Sequence, residues 1–87
     1  MKIKTESGFS CEISGEARDD IELLELLIRL DKGDVSALPE ATERLLGEKG
    51  KKALYDHLRG KEGRVSTRAV FSEFSEIFKA TKETKNS

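Results

Sequence analysis

The sequence predicts an α+β fold, mainly helical, with an N-terminal β-hairpin packed on a bundle of about four short helices. Three stretches carry that expectation. Residues 1–14 alternate apolar and polar side chains with the period of a strand. Asp19–Gly33 is densely apolar, and its polar residues fall at helical spacing. Val70, Phe74, Ile77 and Phe78 follow the i, i+4, i+7, i+8 pattern of an amphipathic helix.

In the hairpin, Met1, Ile3 and Thr5 alternate with Lys2, Lys4 and Glu6, and Phe9, Cys11 and Ile13 alternate with Ser10, Glu12 and Ser14. A two-residue Ser7-Gly8 loop would put the two apolar rows on opposite faces. A three-residue loop, Glu6-Ser7-Gly8, pairs Thr5 with Phe9, Ile3 with Cys11 and Met1 with Ile13. It also sets Lys2 across from Glu12 and places Gly8 where a bulged turn needs a left-handed residue. The second register is therefore predicted. A lone hairpin is unstable in water, so its apolar face is expected to lie on the helix that follows.

That helix, Asp19–Gly33, reads as the centre of the domain. Glu22, Glu25, Arg29 and Lys32 share one narrow stripe, and Ile21, Leu23, Leu24, Leu26, Leu27, Ile28 and Leu30 fill the rest of the circumference. Such a helix is expected to be covered on several sides. Asp19 and Asp20 suit its N-terminal dipole, and Gly33 suits the C′ position. A second helix begins near Ser36–Pro39, turns Leu38, Ala41, Leu45 and Leu46 inward, and stops at Gly47. A third spans Glu48–Arg59, with Ala53, Leu54 and Leu58 inward, and Gly50 weakens it by about 1 kcal/mol relative to alanine. GKEGR (60–64) is a turn. Ser66 is the expected N-cap of the last helix, with Val65 and Val70 as its hydrophobic staple. Residues 1–80 form one domain, and 81–87 are expected to be a flexible tail.

The chain has 87 residues, 38% of them charged and 36% apolar, with one cysteine and one histidine. That count leaves no internal disulfide and argues against a zinc site. There is no apolar run long enough for a membrane span, and MKIKTESGF lacks the apolar core of a signal peptide, so a cytoplasmic protein is expected. The net charge of −1 conceals a polarity: residues 1–48 sum to −6 and residues 49–87 to +5. Weak head-to-tail self-association would follow if the halves paired between copies.

No enzymatic constellation emerges. His57 has only Asp56 beside it, which faces elsewhere on a helix, and Cys11 lies on the apolar face of its strand as a small core residue. GEKGKK (47–52) fails the P-loop pattern, because Leu45 and Lys52 replace the glycine and the hydroxyl residue. No cofactor site and no calcium loop are present in the pattern. The basic second half raises the alternative of a small phage or bacterial DNA-binding regulator. Against it stand the long GKEGRV connection and Glu73 and Glu76, read as lying on the outer face of the last helix. The wide apolar stripe of that helix, Val70, Phe71, Phe74, Ile77 and Phe78, is the expected partner-binding element.

Taken whole, KIKTESGFSCEI, DDIELLELL, LDKGDVSALPEATERLLGEKGKKALYDHLR, GRVS and KATKETKNS resemble small tail assembly chaperones of Gram-positive siphophages and prophages. The resemblance spans nearly all of the chain and rests on overall pattern. It implies a non-enzymatic protein that coats the tape-measure protein, recruits tail-tube subunits and leaves the finished particle. It also implies a longer product made by a programmed frameshift near the 3′ end of the message.

Overall fold

The computed structural model describes residues 1–84, with side chains described through Lys82. The described elements are β1 (Lys2–Lys4), β2 (Ser10–Glu12), α1 (Ile21–Asp31), a 3-10 turn at Val35–Ala37, α2 (Leu38–Leu58) and α3 (Thr67–Thr84). The architecture is thus α+β and mainly helical, with an N-terminal antiparallel hairpin.

The hairpin has the predicted register. Lys2 pairs with Glu12, Ile3 with Cys11 and Lys4 with Ser10. The ladder extends at both ends, through Ile13 N–H to Met1 O at 2.8 Å and Thr5 N–H to Phe9 O at 2.8 Å. Gly8 takes the positive φ of 95° that the bulged loop demands. The hairpin does not lie on α1. β1 rests on α3 and β2 on α2, because the buried Ile3, Thr5, Phe9 and Ile13 find their apolar partners there.

Asp20 caps α1, accepting from the amides of Glu22 and Leu23, and also pairs with Arg44 of α2 at 2.9 Å. The other end closes in a Schellman motif. Gly33 N–H donates to Leu30 O and Asp34 N–H to Arg29 O. Where an apolar contact usually seals this motif, Arg29 Nε and Asp34 Oδ2 pair at 2.9 Å.

The predicted second and third helices are continuous in chain direction but broken at Gly47, whose φ of 82° and ψ of 167° lie outside the helical range. That combination belongs essentially to glycine. Pro39 sits in the first turn, where its missing N–H is not needed. Leu38, Ala41, Leu45 and Leu54 are buried, as is Thr42, whose hydroxyl donates to Leu38 O at 2.8 Å. Ala53, expected inward, is exposed, since the bend re-aims the second segment of α2.

Ser66 caps α3 through its hydroxyl, which accepts from Ala69 N–H at 3.1 Å, and Val65 and Val70 border one small hollow as the staple predicts. The helix does not fade at Lys79. It runs to Thr84, and Thr81 is buried with its hydroxyl on Phe78 O. Residues 81–84 of the segment expected to be a tail are therefore helical, and 85–87 lie outside the described residues.

Candidate protein-binding face

Helical geometry divides α3 into three strips. Val70, Ile77 and Thr81 point into the core and are buried. Phe74, Phe78 and Phe71 form the next strip, facing α1. Phe74 is the buried floor, Phe78 is half-buried, and Phe71 is 43% exposed. The rings of Phe74 and Phe78 lie nearly parallel, centroids 6.2 Å apart. Of the five residues predicted to bind a partner, Phe71, Phe74 and Phe78 line an open groove; Val70 and Ile77 are core.

The opposite wall of that groove is α1. Leu27, Leu30 and Asp31 face Phe71, Phe74, Ser75, Phe78 and Lys79 across about 390 Å³. A second hollow of about 250 Å³ continues it toward the N-terminus of α1, bordered by Ile21, Leu24, Leu27 and Phe78. Leu27 and Phe78 belong to both, so the two form one apolar trough.

Beyond the trough, α1 departs from expectation. Its apolar arc was expected to be covered on several sides, yet only Leu23 and Leu26 are buried. Ile21 is 69% exposed, Leu24 48% and Ile28 47%. The hairpin packs against α2 and α3 rather than α1, so the cover is missing. Four of the five large exposed apolar residues among those described, all but Val35, lie along α1 and the facing strip of α3.

The third strip of α3 overturns a second expectation. Glu73 and Glu76 both turn to the hairpin, Glu73 buried and Glu76 half-buried. Thr5 Oγ1 donates to Glu73 Oε1 at 2.8 Å, and Glu6 N–H donates to Glu76 Oε2 at 2.8 Å. Glu73 is only 6% exposed. Ser7 Oγ and His57 Nε2 lie 3.1 Å apart, and the His57 ring packs against Phe9. His57 is thus part of a clamp on the hairpin loop. The legible signal for Glu73 is its position three after Val70 and four before Ile77, on the buried side of the helix.

With those acids turned away, the exposed charges of α3 among the described residues are Arg68, Lys79 and Lys82. Arg18, in the loop before α1, stacks its guanidinium 5.4 Å from the centroid of Phe78 and closes one end of the trough. Cys11 is half-buried, and burial first, then the charges of Glu12 and Glu73, pushes its thiol above the ordinary value. Such a thiol stays protonated at neutral pH and is a poor nucleophile. Tyr55 sits at the edge of the fold with Lys51 Nζ 5.8 Å over its ring. No helix among the described residues is long and apolar enough to cross a membrane.

No family model, curated protein or solved structure matches this chain.

Proposed function

We propose that this chain is a non-enzymatic protein-binding module, a tail assembly chaperone that coats a phage tape-measure protein and recruits tail-tube subunits in the host cytoplasm. The observation that carries the reading is the apolar trough between α1 and α3 with exposed Ile21, Leu24, Ile28 and Phe71 beside it. A face of this kind, rimmed by charge, suits the apolar stripe of a long helical client. The chain-long resemblance to tail assembly chaperones supplies the identity of that client.

The test is co-expression with a siphophage tape-measure protein, followed by capture on an N-terminal tag. The expected result is co-purification that Phe71→Asp abolishes without unfolding the chaperone. Capture unaffected by Phe71→Asp would place the client elsewhere, and no capture at all would sink the reading. A longer tagged product from the intact locus, running past Ser87 in another frame, supports the same assignment.

One observation favours a second reading. The carboxylates counted against DNA binding, Glu73 and Glu76, face the hairpin, which leaves α3 with Arg68, Lys79 and Lys82 outward. Three cations around an exposed phenylalanine make a sparse phosphate-binding strip. A regulator would show duplex binding that falls steeply between low and moderate salt; the chaperone reading expects none.

A further inference from the structure

We infer that, in the absence of client, two copies of this chain close the α1–α3 face against each other as a two-fold dimer. The inference rests on the reading of this face as a protein-binding surface and names what occupies it in the free protein.

The first reason is the uncovered half of α1. Its apolar residues follow one another around the helix from Leu26 and Leu30 through Leu23 and Leu27 to Leu24, Ile28 and Ile21. The chain's own core covers the first part of this arc and leaves the last three residues about half exposed or more. A helix patterned for burial on two sides, but buried on one, lacks a partner of apolar character.

The second reason is that the missing partner is present in the chain itself. The trough is bounded on one side by α3, with Lys79 in its lining and Lys82 and Arg68 exposed on the same helix. α1 carries its exposed apolar row between Asp31, near its C-terminal end, and an edge with Glu25 and Lys32; Arg29, on the same edge, is tied to Asp34. An acidic-edged apolar helix and a basic-edged apolar groove on the same molecule are complementary between copies. Two-fold symmetry forms the contact twice, with residue i meeting j and j meeting i.

Size sets the strength. α1 has 11 residues, about 16 Å of helix, and two adjacent helices span roughly 20 Å. Two such faces meeting remove on the order of 1,000 Å² from water, the lower end for specific interfaces. The dimer is therefore weak, with a midpoint in the micromolar range.

Sedimentation equilibrium of the full chain across micromolar to sub-millimolar concentrations tests this. Wild type is expected to follow a reversible monomer–dimer equilibrium. Leu24→Asp, at a half-exposed position on the edge of the trough, is expected to weaken it at least tenfold. Val35→Asp, an exposed apolar residue that borders neither part of the trough, should change it less than twofold. Glu25→Lys/Asp31→Lys and Lys79→Glu/Lys82→Glu should each weaken self-association, and an equimolar mixture of the two should regain it as a heterodimer. Circular dichroism confirms that each variant is folded. A wild type that stays monomeric throughout overturns the dimer, as does Val35→Asp acting like Leu24→Asp. A monomeric protein that still captures the tape-measure protein, with Leu24→Asp abolishing capture, overturns the dimer and leaves the client reading standing. A dimer sensitive to Leu24→Asp with no client capture does the reverse.

Discussion

Gly50 shows how a residue's local preference can be reversed by its surroundings. Helix propensity alone expects Gly50→Ala to stabilise α2 by about 1 kcal/mol. A Cβ on Gly50, however, would stand 2.8 Å from Leu46 Cβ, because the break at Gly47 brings the two segments of α2 together at that point. Leu46 Cβ is tied to the backbone and cannot swing aside. Gly50→Ala is therefore expected to destabilise by about 1–3 kcal/mol in urea denaturation, and a stabilised variant would refute the close approach. At the same scale, Arg44 holds the Asp20 carboxyl below its usual range, Ser36 and Arg29 do so for Asp34, and Arg59 and Lys52 for Asp56. A carboxyl lowered on folding contributes stability above its unfolded value, near pH ~4, and loses it as pH falls through the lower folded value. Thermal melts should thus drop on acidification below about pH 4, and Asp20→Asn should shallow that drop. Asp34 and Asp56 are well solvated and Asp20 partly so, so the change is modest.

At the scale of elements, the hairpin is held to the helices by polar contacts as well as apolar ones. Thr5, Glu6 and Ser7 meet Glu73, Glu76 and His57 in turn. Glu73→Ala removes the acceptor of a buried hydroxyl and is expected to cost about 1–3 kcal/mol by chemical denaturation. Glu76→Ala touches an exposed contact and should act locally, speeding hydrogen exchange at the Glu6 amide with little change in global stability. The cap of α3 offers a reference point: Ser66→Ala should cost about 1 kcal/mol. Cap, staple, hairpin register and the stop at Gly47 were all legible in the sequence, because each is settled by residues within a few positions of one another. The clamp was not legible, since Thr5 and Glu73 are 68 residues apart. Only the Val70–Glu73–Ile77 spacing hinted that this acid faces inward.

For the whole molecule, the distribution of exposed apolar surface matters most. Phe71→Asp is expected to change stability by less than about 0.5 kcal/mol, because the side chain is well exposed, while Val70→Asp in the core should unfold the domain. Comparing their melting curves separates a binding residue from a core residue within one helical stripe. From sequence, Val70, Phe71, Phe74, Ile77 and Phe78 form a single apolar set, and periodicity alone cannot rank them. The ranking depends on which neighbour each strip meets, and α1 leaves an open trough where a third helix would have filled it.

The sequence by itself determined the class of fold, the hairpin register, the caps and the break points, because strand and helix periods and left-handed glycines act over short distances. It also contained the long apolar arc of α1, and with it the requirement for cover. Tertiary structure alone decided where the hairpin goes. By packing β1 on α3 and β2 on α2, it spends the apolar face that was expected on α1. That placement buries Glu73, holds Glu76 against the hairpin loop and leaves Ile21, Leu24, Ile28 and Phe71 open, since each element has one apolar face and can bury it in only one place.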